Sequence, residues 1–516
     1  MSMQLHDLAT IFRQAVEDHR SDRLQQAEAG YRRILAADPG HGDSLHYLGL
    51  IAARIGRHDL AADLIGRAIA SRPAMPDYHN NLGLSLMALG RCAEAEAAHR
   101  QAVRLEPGLA AAHNNLGNAL KALGRSAEAE TSYRRALDLL PGFAAAHNNL
   151  GAALADLDRL DEAERCYRAA LRSDPAYPEA HNNLANAARG QGRWQESIAH
   201  CRQALALAPD YAEAHYNLAW SLLLTGGYAE GWREFEWRWR LDAGAGARSF
   251  AVPRWQGEPL GDRVLLLHAE QGAGDTLMFC RYAAIAARLG CVILEAPAPL
   301  VGLLSGLPGL LGVYPTGSDL PAFDLHCPLL SLPLAFGTEL ASIPAEVPYL
   351  SADPERVAEW RRRLLSVTGR RVGLVWAGNP AQRDDRRRSI RLASLAPLAD
   401  LPDLTFVSLQ KGWSGTAPAG MRLLDWTDEL QDYADTAALV EALDLVISVD
   451  TGVAHLAGAL GRPVWLMNRF DPYFAWLVER TDSPWYPTLR QFRQAAPGQW
   501  AAVIESVRDA LAATAW

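Results

Sequence analysis

The sequence has few of the features that mark secreted, metal-binding or nucleic-acid-binding chains. Its six cysteines stand far apart with no C-x-x-C pair, which disfavours a zinc site or a redox couple and favours a reducing compartment. Fifty basic residues against 59 acidic ones give a formal charge of −9. No segment concentrates enough positive charge to neutralise a phosphate backbone, so nucleic acid is excluded as the principal ligand.

Long apolar runs are also missing. The chain meets Asp7 before any apolar stretch, so its start lacks the basic and apolar regions of a signal peptide. The most apolar later stretch, 300–313, is interrupted by Pro308 and by several glycines, and it is too short to cross a bilayer. We therefore expect a cytoplasmic protein without a transmembrane segment.

What the sequence does have is length and an internal period. A chain of 516 residues is expected to form two or three domains. Prolines recur at a constant separation of 34 residues through the first half, at Pro39, Pro73, Pro107, Pro141, Pro175 and Pro209. The same period carries glycines from Gly56 to Gly226, with Asp158 at the one missing place. Each unit is predicted to be a helix, a tight turn and a second helix that ends before the proline.

The repeated pattern His-Asn-Asn-Leu-Gly, Leu-Gly-Arg, Ala-Glu and a closing proline resembles the tetratricopeptide repeat (TPR). It covers roughly residues 7 to 240 in about seven units, and we assign 1–240 to this domain. The resemblance implies a superhelical solenoid with a concave inner surface that binds a partner. It also leaves self-association through the solenoid open.

Asparagines recur on the first helix of each unit, where we expect that helix to face the concave surface. Carboxamides can donate to and accept from an extended peptide backbone. An alternative is that the asparagines tie neighbouring repeats together. We favour peptide binding, partly because the array resembles the asparagine ladder of eukaryotic O-GlcNAc transferase. The predicted acceptor-binding residues are Asn81, Asn115, Asn149, Asn183 and Asn217.

The repeats end in the aromatic-rich segment 231–240, which is predicted to be a capping helix. The small and glycine-rich stretch LDAGAGARSFAVP then places a domain boundary near residues 241–255. Beyond it, apolar strand-like runs alternate with helical stretches, which is typical of parallel sheets with helices on both faces. We assign a first Rossmann-like lobe to 241–355 and a second to 356–516, facing a cleft.

Three loops at the ends of predicted strands carry the candidate chemistry, because ligands of open parallel sheets bind at the carboxyl ends of the strands. In the first loop, 270–276, Asp275 is either a helix cap or a carboxylate that projects into the cleft. The second comprises 376–380, the basic run Arg383 to Arg391 and 408–412. Lysine or arginine there can balance a leaving diphosphate, although Arg386, Arg387 and Arg388 are also explained as a solvated charge run.

The third loop is the most specific. A buried strand runs into Asp450-Thr451-Gly452, and the helix that follows presents its backbone N–H groups for phosphate oxygens. Because an acid there would compete with phosphate, we place Asp450 on a backbone amide or a sugar hydroxyl. His455, in the first turn, is either a ligand contact or a packing residue.

Together these loops resemble the heptosyltransferase-like glycosyltransferases of family 9 and, more loosely, the O-GlcNAc transferases, both of GT-B fold. The resemblance spans about residues 255 to 500. It implies Asp275 as catalytic base, Lys411 as the lysine that stabilises the diphosphate, and inversion at the anomeric carbon. The expected donor-binding residues are Gln271, Gly272, Gly274, Trp376, Asn379, Arg388, Gln410, Asp450, Thr451, Gly452 and His455.

The sequence thus predicts a TPR solenoid followed by an α/β GT-B glycosyltransferase. No D-x-D triplet occurs after residue 241, so we expect metal-independent transfer from a nucleotide-sugar co-substrate, with no resident cofactor. The favoured acceptor is a protein hydroxyl held in the repeat groove. The alternatives are transfer to lipopolysaccharide or another glycan, with the repeats docking a partner, and an inactive scaffold, against which the intact loops argue.

Overall fold

The computed structural model describes residues 5–241, 248, 250–382 and 385–514, with side chains from residue 7 onward. Most of the first half of the predicted connector lies outside these residues, as do Arg383 and Asp384 of the basic run. By packing, the chain divides into two compact units. The first comprises Met1–Gln191 and Gln203–Pro209, and the second comprises Gly192–Arg202 and Asp210–Trp516. The sequence predicted the end of the repeats near 241–255, whereas packing assigns the last helix pair to the second unit.

The first unit is a helical solenoid, as predicted. Its antiparallel helices are α1 (Leu5–Arg20), α2 (Leu24–Ala37), α3 (Gly42–Arg54), α4 (His58–Ser71), α5 (Pro76–Ala88), α6 (Cys92–Leu105), α7 (Ala110–Ala122), α8 (Ser126–Leu139), α9 (Ala144–Asp156), α10 (Leu160–Ser173) and α11 (Pro178–Gly190). Helix α12 (Trp194–Leu207) is shared between the units. Each second helix from α2 to α12 ends two residues before its repeat proline, as the proline positions predict.

Glycine occurs at the turns and inside the helices for two different reasons. At the turn between paired helices the backbone is left-handed, with φ of 77° at Gly124, and Asp158 adopts φ of 58° at the place where the glycine is missing. Inside helix α7, a Cβ on Gly117 would lie 2.4 Å from the ring of Tyr133. The aromatic side chain of the second helix therefore packs directly on the backbone of the first.

Ion pairs connect consecutive repeats. The guanidinium of Arg125 donates to Glu128 of its own repeat, and at 2.8 and 2.9 Å to both carboxylate oxygens of Glu96 in the preceding repeat. Arg159 makes the equivalent bonds to Glu162 and Glu130. Because Glu96 and Glu130 are buried, these contacts fix the register of one repeat on the next.

The second unit begins with the last helices of the repeat array. Helices α13 (Ala212–Leu224) and α14 (Tyr228–Phe235) are followed by a 3₁₀ turn, Glu236–Arg240. Trp232 and Phe235 of this segment are 1% exposed and belong to the same apolar core as the sheets that follow. The predicted capping helix is therefore part of the core of the second unit.

Two parallel sheets make up the rest of the second unit. The first has the order β3-β2-β1-β4, with β1 (Val264–His268), β2 (Cys291–Ala296), β3 (Gly312–Pro315) and β4 (Leu325–Pro328). With helices α15 (Ala273–Phe279), α16 (Arg281–Ala286), α17 (Ala298–Leu304) and α18 (Leu332–Ala335), it forms the first lobe. Helix α19 (Pro354–Leu364) follows, capped by the Asp353 carboxylate, which accepts from the N–H groups of Glu355 and Arg356.

The second sheet has the order β10-β9-β8-β5-β6-β7, which is the Rossmann strand order. Its strands are β5 (Arg370–Val375), β6 (Leu404–Ser408), β7 (Leu423–Asp425), β8 (Leu445–Val449), β9 (Val464–Asn468) and β10 (Leu489–Arg493). With α20 (Asp385–Arg388), α21 (Tyr433–Glu441), α22 (Gly452–Ala459) and α23 (Trp500–Ala513), they form the second lobe. The prediction of a helical solenoid followed by parallel α/β sheets is confirmed.

Candidate functional site

A cavity of about 730 Å³ lies where the two lobes face each other. It opens beyond the carboxyl ends of β1, β5, β6 and β8, and β5 and β8 flank the point where the strand order of the second sheet reverses. The predicted residues that line it are Gln271, Gly272, Gly274, Asp275, Asn379, Arg388, Gln410, Lys411, Asp450, Thr451, Gly452 and His455. Three loops far apart in sequence are therefore brought to one place.

Trp376 is the one predicted donor-binding residue that does not line the cavity. It is 5% exposed and packs edge-on against Trp413 in the core of the second lobe. The preceding residue, Val375, does line the cavity. Because neighbouring residues of an extended chain point to opposite sides, only one of the two could do so. The sequence assignment of the Trp376 side chain is corrected accordingly.

Asp275 lies in the first turn of α15. Its Oδ1 accepts a hydrogen bond of 2.6 Å from the Tyr473 hydroxyl, and it also interacts with the backbone N–H of Gly272 at the start of the helix. Of the two alternatives from the sequence, the N-cap position of α15 belongs to Gly272 and not to Asp275, whereas Asp275 does line the cavity. Burial raises the pKa of Asp275 to about 6, and the nearby Asp450 carboxylate acts in the same direction, while Tyr473 opposes the rise.

The two lobes approach closely beside Asp275. A Cβ added to Gly274 would lie 3.1 Å from Cδ2 of His455 and 3.6 Å from the Cα of Gly452. The start of α15 therefore packs on the start of α22, with glycine on both sides of the contact. This approach places the Asp275 carboxylate next to the first turn of α22.

The Asp-Thr-Gly loop is held by side chains of the second lobe. Asp450 is 8% exposed, and its Oδ1 accepts a 2.8 Å bond from the indole N–H of Trp476. The sequence placed this carboxylate on a backbone amide or a sugar hydroxyl, and its partner in the structure is instead an indole. Thr451 is the N-cap residue of α22, and Thr451, Gly452 and Val453 line the cavity, so the helix begins at the cavity wall.

His455 combines a packing role with a place at the cavity wall. Its ring stacks on Trp476 at 4.7 Å, and Nδ1 lies 3.0 Å from the Tyr486 hydroxyl. Burial lowers the pKa of His455 to about 4, so the imidazole is neutral at physiological pH. The neutral ring therefore carries one proton and adds no positive charge to the cavity wall.

The second loop is a hydrogen-bonded cradle around Gly378. Gln410 Oε1 accepts from the N–H of Ala377 at 2.8 Å, and Ser389 Oγ accepts from the N–H of Gly378 at 2.9 Å. A Cβ on Gly378 would lie 2.2 Å from Oδ1 of Asp385 and 2.5 Å from Nε of Arg388. Any side chain at this position would require the ends of the Asp385 and Arg388 side chains, which form an ion pair over the backbone, to move.

Two cations belong to this loop system. Arg388 donates to the carbonyl of Asp450 at 3.1 Å, and also to Gln382, so its guanidinium is fixed beside the Asp-Thr-Gly loop. Lys411 is exposed, and its ammonium group donates to the carbonyl of Leu430. Arg388 is therefore part of an ordered network, whereas Arg386 and Arg387 are exposed.

Sequence reasoning missed three aromatic residues that line the cavity, namely Tyr473, Tyr433 and Trp220. Tyr473 follows β9 in an aromatic-rich segment, and this position at the end of a strand was a usable signal. Trp220 lies on α13 and contacts Tyr473 edge-on at 5.5 Å. Trp220 stands 34 residues after Asn186, so the two residues occupy the same position of the first helix in consecutive repeats. This equivalence was the available signal for Trp220.

The asparagines of the first unit bond from repeat to repeat. Their Nδ2 groups donate to the Oδ1 of the first asparagine of the preceding repeat. The pairs are Asn115 to Asn80 at 3.1 Å, Asn149 to Asn114 at 3.0 Å and Asn183 to Asn148 at 2.9 Å. Asn81 lies 2.9 Å from Nε2 of His46 in the same register. These are the bonds expected if the asparagines tie repeats together, while Asn81, Asn115, Asn149 and Asn183 stay partly exposed.

Histidines that recur beside these asparagines with the same 34-residue period make packing contacts within the repeats. The Nε2 of His113 lies 3.0 Å from the carbonyl of Pro107, and His79 and His147 make the same contact with Pro73 and Pro141. Among the described residues, no group of three or more His, Cys, Asp or Glu side chains could hold a metal ion. In the same part of the chain, every helix is too short or too polar to span a membrane.

Comparison with known families agrees with the two-part architecture. The tetratricopeptide repeat model matches residues 12–76, 80–144, 114–178, 148–212 and 182–231. The model for glycosyltransferase family 9 (heptosyltransferase) matches residues 432–465, which contain the Asp-Thr-Gly loop and the whole of α21, β8 and α22. The chain therefore joins tetratricopeptide repeats to a segment of family 9 glycosyltransferase type.

Similar individual proteins are found for parts of the chain. Protein FlbA of Caulobacter vibrioides is 27% identical over 322 residues, which are 56% of this chain and 53% of FlbA. The chain thus matches about half the length of this curated relative. A thermophilic TPR protein of Thermus thermophilus is 26% identical, with 35% of this chain and 99% of that chain covered and a TM-score of 0.32. The type IV pilus biogenesis factor PilW is 22% identical, with 41% and 98% covered and a TM-score of 0.38.

Proposed function

We propose that this protein is a GT-B glycosyltransferase that moves a sugar from a nucleoside-diphosphate sugar to a hydroxyl group of a protein. The observation that carries the proposal is the position of Asp275. A carboxylate whose pKa burial raises to about 6 lines the same cavity as the first turn of α22, Arg388 and Lys411. A candidate base of near-neutral pKa thus shares one cavity with groups suited to a diphosphate.

The proposed reaction steps follow from the presence of a candidate base and of diphosphate-binding groups in one cavity. Asp275 accepts the proton of the acceptor hydroxyl as its oxygen attacks the anomeric carbon. The bond from that carbon to the diphosphate oxygen breaks, and the departing diphosphate gains negative charge. The N–H groups of α22 stabilise that charge, and Lys411 and Arg388 add their positive charges. A single displacement of this kind inverts the anomeric configuration and needs no metal ion.

The acceptor is proposed to be a polypeptide because of the asparagine column. A carboxamide has two N–H donors and an oxygen acceptor, and the bond from repeat to repeat uses one of the donors. That bond fixes the plane of the amide, so a second N–H is held in a defined direction at a partly exposed position. Tying repeats together and binding an extended backbone are therefore compatible roles for residues such as Asn149.

The test is a panel of UDP-, GDP-, ADP- and CMP-linked sugars, assayed by thermal shift and by release of the nucleotide. We expect one nucleotide class to raise the melting temperature, because a ligand that binds the folded state stabilises it. Transfer is then followed by mass spectrometry on added protein and on isolated glycans. Transfer only to glycans would support the glycan-transferase alternative, and neither binding nor turnover with any donor would support an inactive scaffold.

A further inference from the structure

A tyrosine from the second lobe bonds the candidate base in the first lobe. Tyr473 stands between β9 and β10, and its hydroxyl donates to Oδ1 of Asp275 at 2.6 Å. Burial raises the pKa of Tyr473 well above its ordinary value, and the neighbouring Asp275 carboxylate acts in the same direction. The hydroxyl therefore keeps its proton and remains a donor over the whole working range of pH.

The ring of Tyr473 is enclosed by other aromatic side chains. Phe474 lies 4.2 Å away between ring centroids, Trp220 meets the ring edge-on at 5.5 Å, and His455 meets it edge-on at 6.4 Å. These neighbours come from the same loop, from α13 and from α22. With three elements packed around it, the phenol has little freedom to turn away from Asp275.

We propose that Tyr473 is a positioning residue that orients the Asp275 carboxylate and keeps it ionised for proton abstraction. The inference rests on the proposed role of Asp275 as the base. One carboxylate oxygen is bonded by Tyr473, and the other side of the group interacts with the N–H of Gly272. Asp275 lines the cavity, where the acceptor hydroxyl must arrive.

The charges around Asp275 show why such a donor is needed. The Asp450 carboxylate of the Asp-Thr-Gly loop and the Glu270 carboxylate at the end of β1 both favour protonation of Asp275, as does burial. His455 is neutral and adds no positive charge. Tyr473 and the N–H of Gly272 act in the opposite direction, and the Tyr473 contribution is the larger of the two. Arg388 and Lys411 also line the cavity.

The first experiment is the pH dependence of donor hydrolysis, with the UDP-, GDP-, ADP- or CMP-linked sugar that the panel identifies. Tyr473→Phe keeps the ring and removes the hydroxyl. We expect the acid limb of kcat to move up by about one pH unit, because a hydrogen bond to a charged group stabilises it by that order. The KM for the donor stays nearly constant. Tyr314→Phe, in the edge strand β3, is the matched control and leaves the limb unmoved.

A fluorinated tyrosine incorporated at position 473 gives the opposite change. Its more acidic hydroxyl donates more strongly, so the acid limb should move to lower pH while the ring keeps its shape. This variant keeps the proposal testable if Tyr473→Phe folds poorly.

A second readout needs no donor. The pH-dependent difference in melting temperature between a protein and its Asp275→Asn form reports the titration of Asp275 in the folded chain. We expect the midpoint of that difference to lie higher in the Tyr473→Phe background than in the wild-type background. An unmoved midpoint, or unmoved acid limbs in both tyrosine variants, would overturn the role of Tyr473. Full activity of Asp275→Asn would instead overturn the proposed base and leave the titration result standing.

Discussion

The guanidinium group of Arg238 binds both carboxylate oxygens of Glu270, with Nε 3.0 Å from Oε2 and Nη2 2.8 Å from Oε1. Both side chains are buried, at 6% and 4% exposed. Arg238 belongs to the aromatic segment that ends the repeats, and Glu270 follows β1, five residues before Asp275. The pair therefore connects the last repeat to the loop that carries the candidate base.

Removing one partner of this pair should be costly. Arg238→Ala leaves the Glu270 carboxylate buried without its cation, and we expect a loss of about 3–5 kcal/mol in the free energy of unfolding. Urea unfolding followed by tryptophan fluorescence measures it. The control is Arg240→Ala, whose exposed guanidinium lies 3.5 Å from Asp210 and should change stability by less than about 1 kcal/mol. Equal losses in the two variants would contradict the assigned importance of the buried pair.

The apolar core that the last repeat shares with the two lobes determines where the transferase part begins. Tyr228 accepts a 3.0 Å bond from the indole N–H of Trp485, and Trp232 lies in one apolar core with both lobes. We expect a fragment of residues 192–516 to be monomeric and folded, and a fragment of 241–516 to aggregate because it exposes this core. Size-exclusion chromatography and circular dichroism distinguish them. A well-folded 241–516 fragment would show that the last repeat is dispensable for the lobes.

Gly378 should tolerate no side chain. Its Cβ would collide with Asp385 and Arg388, so Gly378→Ala must displace the guanidinium that bonds the Asp450 carbonyl. We expect donor affinity to fall at least about tenfold, which corresponds to one lost charged hydrogen bond. Isothermal titration calorimetry with the identified donor measures this loss. Gly66→Ala is the control, since nothing lies within 4 Å of its Cβ and alanine is the better helix former.

Asp275→Asn should slow transfer and stabilise the fold above pH 6. Loss of a general base lowers the rate by roughly a hundredfold or more. Because the folded pKa of about 6 exceeds the ordinary 3.8, the folded wild type binds the proton more tightly and loses stability as pH rises from about 4 to 6. Asparagine carries no charge and escapes this loss. Melting curves should therefore favour the variant by up to about 3 kcal/mol at pH 8 and converge near pH 4. A variant that is less stable at every pH would refute the burial cost.

The two asparagines of one hydrogen bond between repeats, Asn149 and Asn114, can distinguish peptide binding by the asparagine column from a purely structural role. Asn149→Ala and Asn114→Ala both remove the 3.0 Å bond between their repeats, but Asn114 is 5% exposed and Asn149 is partly exposed. If the column binds a peptide, Asn149→Ala impairs protein glycosylation more than Asn114→Ala does, while donor hydrolysis is equal in both. Equal glycosylation in the two variants would show that the asparagines only hold neighbouring repeats together and do not bind the peptide. The triple variant of Asn115, Asn149 and Asn183 to alanine should enlarge the difference.

The sequence predicted those features whose signal is local. The 34-residue period indicates a series of equivalent helix pairs, which made the solenoid predictable. A buried strand followed by a glycine-containing loop and a helix is typical of a ligand-binding loop, which made the three cavity loops predictable. The strands β3, β7 and β10 were not predicted. All three are edge strands of three to five residues, too short for a clear pattern, and β10 also carries polar side chains. Tyr473 and Trp220 each had a weak local signal, a strand end and a repeat register, but their meeting at the cavity depends on tertiary packing.

The contacts between repeats recur every 34 residues, with Arg125 and Arg159 bridging to the repeat before in the same way. A unit that carries this pattern could therefore be gained or lost in evolution with the same ion pairs kept between its neighbours. The repeat that ends in Trp232 and Arg238 has no such freedom, because its side chains belong to the core of the lobes. Related proteins should consequently differ in the number of internal repeats while retaining this terminal one.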